Sequence, residues 1–124
     1  MPRARKRVLV VENDPMSLEL SRRVLERGGY DVTCVPSAEE ALVLAPTMKP
    51  NLVLMDLGLP GMDGVEATRR MMRNRETRDI PVAVLSAQAF GEDVARARDA
   101  GCAAYLTKPI GARELLDRVN DLLS

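Results

Sequence analysis

The side chains best suited to chemistry in this sequence share one position, directly after a short apolar run. Asp56 ends the run Leu52–Met55 and is followed by a loop rich in glycine and proline. Runs of that length closed by such a loop are typical of strands buried on both faces. The other side chains that follow apolar runs in this way are Glu12, Asn13, Ser86 and Lys108. Because parallel sheets bind ligands beyond the carboxyl ends of their strands, we expect these groups to share a site.

The residue types in that set favour phosphoryl transfer. Crowded carboxylates repel one another unless a positive charge lies between them. Hard divalent cations such as Mg²⁺ bind oxygen ligands and commonly combine one or two carboxylates with a substrate phosphate. A lysine and a hydroxyl on the opposite side, here Lys108 and Ser86, would bind phosphate oxygens. The set therefore predicts a carboxylate nucleophile, a divalent metal and a phosphoryl group, with catalysis by positioning and charge neutralisation.

The elements that must position this site follow from an alternation of apolar patterns along the chain. Short apolar runs predict strands and periodic apolar stripes predict helices. Strands are predicted at residues 8–11, 31–35, 52–55, 81–85 and 103–107, and helices at 15–28, 37–45, 65–75, 91–100 and 115–123. Alternation of this kind gives a parallel sheet with helices on both faces and right-handed crossovers.

The helix ends carry recognisable signals. Asp14 is placed to cap the first helix, because Pro15 suits a first helical position. Ser37 and Glu40 form a capping box at the start of the second helix, which we expect Pro46 and Pro50 to end.

The apolar stripes differ in strength between the helices. The first helix has Leu18, Leu20, Val24 and Leu25 as its apolar residues. The helix at 91–100 has a thin apolar face and is therefore expected to be the least firmly held.

Composition excludes several classes of function. With 124 residues the chain has the length of one domain, and its formal net charge of zero gives no field that would recruit nucleic acid or anionic membrane. Histidine is absent, which excludes histidine ligands, a histidine base and a phosphohistidine on this chain. Cys34 and Cys102 show no metal-binding spacing and are expected to be buried and unpaired. Residues 1–6 form a basic tail that we expect to be solvated. The lack of a long apolar run and of a signal-peptide pattern makes the cytoplasm the expected location.

Four blocks in register give the sequence a family resemblance. Residues 10–13, 54–64, 85–87 and 105–109 resemble the receiver domain of bacterial two-component response regulators, and the match covers nearly the whole chain. The resemblance implies a flavodoxin-like (βα)5 three-layer sandwich with a parallel five-stranded sheet in the order 2-1-3-4-5. Because no output domain follows the last predicted helix, we expect a single receiver domain of the stand-alone type over residues 1–124, with the N-terminal part of a longer regulator as the open alternative.

The resemblance implies a role for each residue of the metal and phosphoacceptor positions. Asp56 would accept the phosphoryl group from the phosphohistidine of a partner kinase. Glu12 and Asn13 would hold Mg²⁺, or Mn²⁺ in its place, together with Asp56 and the backbone carbonyl of Gly58. Gly58 and Gln88 match the two variable positions that tune autodephosphorylation in the family.

The resemblance also implies how the signal would spread. Lys108 and the backbone N–H of Ala87 would contact the phosphoryl oxygens, and the peptide before Pro109 would be cis. Phosphorylation would draw the switch hydroxyl of Ser86 and Lys108 inward. Tyr105 would then turn into the vacated space, and the helix at 91–100 would shift.

Asn13 departs from the family pattern, which has a second acid at this position. An amide oxygen still ligates a metal, but the site loses a formal charge, so weaker Mg²⁺ binding is expected. Asp14 could restore part of that charge, although its role as a helix cap is the favoured interpretation.

The functional hypothesis is a response regulator receiver in a phosphorelay, not a classical enzyme. Its partners would be a histidine kinase or histidine phosphotransfer protein and a downstream protein target, with no direct role for nucleic acid or membrane. Two alternatives stay open. A degenerate receiver that is never phosphorylated would act as a docking module, and the amide at Asn13 is the feature that favours this alternative. A dehalogenase-type aspartyl-phosphate phosphatase would need a second Asp where this sequence has Gly58.

Overall fold

A parallel five-stranded sheet in the order β2-β1-β3-β4-β5 forms the centre of the molecule. The computed structural model describes residues 5–88 and 91–124. Strands and helices alternate strictly, as the sequence predicted, and the flavodoxin-like fold class is confirmed. The elements are β1 (Arg7–Val11), α1 (Pro15–Arg27), β2 (Asp31–Val35), α2 (Ala38–Met48), β3 (Leu52–Asp56), α3 (Gly64–Arg73), β4 (Val82–Ser86), α4 (Glu92–Ala100), β5 (Ala104–Thr107) and α5 (Ala112–Leu123).

Two apolar clusters, one on each face of the sheet, hold these layers together. One cluster packs Leu9, Val53 and Val84 against α2, α3 and α4. The other packs Leu54 and further strand residues against Leu25 of α1 and the apolar stripe of α5. Every residue of β3 and β4 is buried, because side chains that alternate along these central strands meet helices on both sides. The strand that carries Asp56 is thus fixed from both faces.

Helix α2 does not end where the sequence predicted. The expectation that Pro46 and Pro50 end it is wrong for Pro46, since the helix includes that proline, continues to Met48 and stops just before Pro50. A proline this close to a helix end removes a single intrahelical donor, so the loss is small while Ala45 stays buried in the core. The stop comes at Lys49, whose left-handed backbone (φ 50°) directs its N–H to the carbonyl of Ala45 at 2.8 Å.

Other differences from the predicted elements are small. Helix α3 ends at Arg73 rather than Arg75, because Asn74 caps it in an extended conformation. Leu20 does not join the core as expected and is 57% exposed, whereas Leu18 and Val24 are half-buried and Leu25 is buried. Both cysteines are half-buried and free.

The N-terminal tail is described only in part. Residues 1–4 of the predicted basic tail lie outside the described residues, and Arg7 begins β1. Within residues 5–88 and 91–124, helices are all too short or too polar to span a lipid bilayer.

Candidate functional site

The predicted site residues meet at the carboxyl edge of the sheet. Parallel pairing places the ends of β1 and β3 side by side, and likewise those of β3, β4 and β5. Backbone hydrogen bonds continue the pairing beyond the strands: the Glu12 N–H donates to Val35 at 3.1 Å and the Lys108 N–H to Ser86 at 2.7 Å. The backbones that carry Glu12 and Lys108 are therefore fixed by the sheet itself.

Burial singles out the same residues. Among the described residues, five polar or charged side chains are buried, and three of them are Glu12, Asp56 and Ser86 at this edge. The other two are Thr68 and Thr77, whose hydroxyls donate to backbone carbonyls of α3. Local hydrogen bonds therefore account for the burial of the two threonines. No such local structure accounts for two buried carboxylates side by side. Buried charges are costly unless they are paired, so their partners decide what the site does.

Lys108 is the partner of both carboxylates. Its Nζ lies 3.1 Å from Glu12 Oε1 and 3.1 Å from Asp56 Oδ1. Burial alone would lower the pKa of Lys108, but hydrogen bonds to Asp56 and Glu12 outweigh it and leave the pKa raised. The Lys108–Pro109 peptide bond is cis. One ammonium therefore serves two carboxylates, and the site keeps a surplus of negative charge.

The pKa of the Glu12 carboxyl is raised in this environment. Burial raises the pKa of its carboxyl, and a hydrogen bond shared with Asp56 raises it further. The backbone N–H of Asp14, at 3.2 Å from Oε2, and the ammonium of Lys108 act in the opposite direction without reversing the shift. A second cation beside these carboxylates would relieve the repulsion.

The oxygen donors at this edge fit Mg²⁺. Glu12 and Asp56 supply carboxylates, Asn13 is exposed beside them, and the N–H of Gly58 donates to Asp56 Oδ1 at 3.1 Å, which brings the 56–58 turn to the site. Across residues 5–88 and 91–124, no three acidic or cysteine side chains converge as ligands. A metal here must therefore also use amide, backbone and water oxygens, which Mg²⁺ accepts.

Asp14 is the helix cap rather than a spare ligand. Its Oδ2 accepts hydrogen bonds from the N–H of Ser17 at 3.1 Å and from the Ser17 hydroxyl at 2.8 Å. These bonds lower the pKa of the Asp14 carboxyl, as is usual for an acid at a helix N-terminus. The carboxylate is committed to α1, so the structure favours the capping interpretation over compensation for Asn13.

A cavity of about 310 Å³ opens on the other side of Asp56. Ser86 lies on its wall, and the Ser86 hydroxyl accepts a hydrogen bond from the Gln88 N–H at 3.1 Å. Ala87 is exposed next to it. The full lining is Asp56, Leu57, Gly58, Ser86, Ala87, Gln88, Asp93 and Lys108. Apart from Leu57 and Asp93, this lining is the set expected around a phosphoryl group on Asp56, and we call it the phosphoryl cavity.

Tyr105, the predicted switch aromatic, lies beside the strand ends on one face of the sheet. The side chain is half-buried and packs against the cluster beneath α2, α3 and α4. Its hydroxyl is fully buried and has no hydrogen-bond partner within the described part of the chain. The hydroxyl is thus already inside in this structure, and a rotation of Tyr105 on phosphorylation stays a prediction.

Sequence reasoning missed the ion pairs at the start of α4. Asp93 lines the phosphoryl cavity, and Arg96 lies one turn further along the same helix. Arg96 Nη2 is 2.6 Å from Asp63 Oδ2, while Nη1 is 3.7 Å from Asp93 Oδ1. The spacing of Asp93 and Arg96 suits a pair on one helix face, but the contact with Asp63 joins two helices and has no local signal.

Gly64 was also missed as a support of the site. A Cβ at this position would lie 2.7 Å from the backbone oxygen of Asp56 and 3.0 Å from a methyl group of Leu57. Glycine therefore lets α3 begin directly against the strand end that carries Asp56.

Comparison with known proteins identifies the family. Residues 8–120 match the family described as the response regulator receiver domain. The chain therefore belongs to the response regulator receiver family.

Relatives of known role and known structure agree with that assignment. The chain is 36% identical over 118 residues to the polar-differentiation response regulator DivK of Brucella ovis, covering 95% of this chain and 96% of that protein. A CheY-like response regulator receiver domain protein from Methanospirillum hungatei superposes with a TM-score of 0.90 at 30% identity, covering 97% of this chain and 94% of that one. The receiver domain of a Pseudomonas aeruginosa sensor histidine kinase, described with a magnesium ion coordinated in its active-site cleft, has a TM-score of 0.89 at 31% identity and covers 97% and 98%.

Proposed function

We propose that this receiver accepts a phosphoryl group on Asp56 from the phosphohistidine of a histidine kinase or histidine phosphotransfer protein. The observation that carries the proposal is the contact of Lys108 Nζ with both Asp56 and Glu12 at 3.1 Å, at the mouth of the phosphoryl cavity. A nucleophilic carboxylate, a cation for the transferred group and a second acid for a metal then lie within one site.

The transfer would begin with attack of an Asp56 carboxylate oxygen on phosphorus. A P–O bond forms as the P–N bond to the partner's imidazole breaks. The ring nitrogen keeps the electron pair of that bond, and a proton already on the other ring nitrogen lets the imidazole leave as the neutral base. The N–H of Gly58 orients the Asp56 carboxylate through Oδ1. Lys108 would follow the negative charge onto the phosphoryl oxygens, and the N–H of Ala87 would bind another of them.

Glu12, Asn13, Asp56 and the Gly58 carbonyl would hold Mg²⁺ or Mn²⁺. Support comes from the surplus negative charge around Lys108 and from the magnesium described in the Pseudomonas aeruginosa relative. Receiver domains generally bind Mg²⁺ in this cleft, and when bound the ion neutralises charge on the transferring phosphoryl group. The amide of Asn13 gives this site one charge fewer than a pair of acids would.

The output would be a change in a protein-binding surface. A phosphoryl group adds charge and acceptor oxygens in the cavity next to Ser86 and Lys108. Helix α4 borders that cavity and buries only the small side chains of Ala97 and Ala100, so little apolar surface holds it against a shift. The downstream target is proposed to be a protein, because the chain has no net charge to attract nucleic acid or membrane. A cytoplasmic location remains a prediction.

A docking module that is never phosphorylated is the second candidate. Asn13 favours it, since weaker metal binding would slow phosphorylation. The two candidates differ in one respect that is easily measured, which is whether Asp56 acquires a phosphoryl group.

Intact-mass analysis after incubation with Mg²⁺ and acetyl phosphate tests the proposal. The wild type should gain one phosphoryl group, while Asp56→Asn and a wild-type sample in EDTA should gain none. A kinase-driven repeat covers strict dependence on a protein donor. A wild-type chain that is folded and unmodified under both conditions would exclude the phosphorelay and leave the docking module.

A further inference from the structure

An acidic side chain borders the cavity into which the phosphoryl group must come. Asp93 lines the phosphoryl cavity together with Asp56, Ser86 and Lys108. It lies in the first turn of α4, half-buried, and none of the transfer chemistry proposed above uses it. A carboxylate facing an incoming phosphoryl dianion opposes its entry, because like charges repel across a partly enclosed space.

Arg96 sets how strongly that charge is felt. Its guanidinium lies between two acids and is closer to Asp63 (2.6 Å) than to Asp93 (3.7 Å). Asp63 also caps α3 through the N–H of Val65 at 2.9 Å, so it is held in place independently of Arg96. Arg96 is therefore committed mainly to Asp63 and neutralises Asp93 only in part.

We propose that Asp93 is a charge gate for the phosphoryl cavity, which selects against highly charged phosphodonors and whose strength is set by the sharing of Arg96 between Asp63 and Asp93. The inference rests on the proposed phosphorylation of Asp56 and adds a specificity determinant to that reaction. A protein donor brings its own positive groups and excludes water, so the gate would act most strongly on small free acyl phosphates.

The gate predicts a dependence on donor charge. Acetyl phosphate is a dianion at neutral pH, whereas phosphoramidate carries less negative charge. Asp93→Asn should raise the initial rate with acetyl phosphate about three- to tenfold and with phosphoramidate about twofold or less, as expected for loss of one partly screened charge. Raising the salt concentration should increase the rate with acetyl phosphate more for wild type than for Asp93→Asn, because only wild type has the Asp93 charge for salt to screen.

The matched control is Glu92→Gln. Glu92 is the neighbouring residue in the same helical turn, has the same charge, is exposed and does not line the phosphoryl cavity. Glu92→Gln should change neither rate. Asp93→Glu keeps the charge and should keep the wild-type ratio of acetyl phosphate to phosphoramidate rates.

Two further variants test the role of Arg96 in opposite directions. Arg96→Gln removes the counter-charge and should slow acetyl phosphate transfer about two- to fivefold. Asp63→Asn keeps a residue that can cap α3 but frees Arg96 for Asp93, so transfer should become faster.

The outcomes separate this inference from the proposed function. A rate increase in Asp93→Asn that is larger for acetyl phosphate, and absent in Glu92→Gln, supports the gate. Equal rates in wild type and Asp93→Asn, or equal increases with both donors, overturn the gate and leave phosphorylation of Asp56 intact. A lack of adduct in wild type and Asp93→Asn with every donor, including a kinase, overturns both.

Discussion

The two sides of Asp56 are built differently. We call Glu12, Asn13, Asp14 and Gly58 the metal half, and Ser86, Asp93, Arg96 and Tyr105 the switch half. In the metal half, Glu12 has partners for both carboxylate oxygens, and Asp14 is committed to a helix cap. In the switch half, and among the described residues alone, the Ser86 hydroxyl is bonded only to the local turn, and the Tyr105 hydroxyl is buried without a partner.

The helices next to the two halves differ in the same way. Helix α1 starts with an aspartate cap that bonds to Ser17, whereas α4 starts at Gly91 with no side-chain cap bond. The buried residues of α4 are both alanines, and an exposed ion pair from Arg96 ties it to α3. Local opening costs least where few apolar contacts hold an element, so the metal half is suited to binding and the switch half to moving.

The largest expected effect tests the rigidity of the strand end at Asp56. Gly64→Ala would bring a Cβ to 2.7 Å from the Asp56 backbone oxygen, against atoms that cannot move without shifting the strand. We expect a loss of about 1–3 kcal/mol in the free energy of unfolding, measured by urea denaturation.

Gly111→Ala is the control for that substitution. Gly111 has an ordinary φ of −72° and open space around its Cβ position, so the change should cost no more than about 0.5 kcal/mol. If the two variants were equally stable, the strand end at Asp56 would be able to move. The metal half would then not be the more rigid of the two halves.

Asn13→Asp tests the charge deficit of the metal half. An added carboxylate beside a dication should tighten Mg²⁺ binding about tenfold, close to 1.4 kcal/mol after desolvation, measured by calorimetric titration. Asp14→Asn is the control, because asparagine also caps a helix and Asp14 is not available to the metal. Loss of Mg²⁺ affinity in Asp14→Asn would show that Asp14, and not only Glu12 and Asp56, supplies charge to the ion.

The two tyrosines compare the faces of the sheet directly. Tyr105→Phe removes a buried hydroxyl that lacks a partner and should raise the free energy of unfolding by up to about 1 kcal/mol. Tyr30→Phe removes a hydroxyl that donates to Asn120 of α5 and should lower it by about 1 kcal/mol. Thermal or urea unfolding of the pair gives the sign of each. Destabilisation of both by similar amounts would show that Tyr105 is as well satisfied as Tyr30.

The smallest effect is a pH dependence within the metal half. The pKa of Glu12 is raised above 4.5, mainly by burial, so the protonated form is favoured in the folded protein. Ionisation of Glu12 therefore lowers stability as pH rises from about 4.5 through the folded-state pKa. Glu12→Gln lacks this group. In EDTA, the free energy of unfolding of Glu12→Gln minus that of wild type should therefore rise with pH over that window and then level off. A difference that is constant with pH would contradict the shift.

Most of the fold could be predicted from the sequence, because the apolar patterns that specify it are local. Apolar runs such as Leu52–Met55 and the stripe of α5 are each readable within one segment, and their alternation leaves few topologies. Pro46 was misjudged because its penalty depends on distance from a helix end that depends in turn on tertiary packing.

The site was predictable where residues follow strands, and not where contacts cross helices. Glu12, Asp56, Ser86 and Lys108 converge because parallel strands end at one edge. The contact of Arg96 with Asp63 spans 33 residues and depends on how α3 and α4 pack, which no periodicity encodes. The buried hydroxyl of Tyr105 is likewise a result of packing rather than of pattern.

Hydrogen exchange with and without phosphodonor tests the central contrast most directly. With Asp56 fully phosphorylated, as verified by intact mass, backbone amides at residues 91–107 should change their exchange rates while those at 7–14 stay within error. Asp56→Asn treated identically should show no change in either segment. Equal changes in both segments, or none in 91–107 of a fully phosphorylated chain, would contradict the division into a binding half and a moving half.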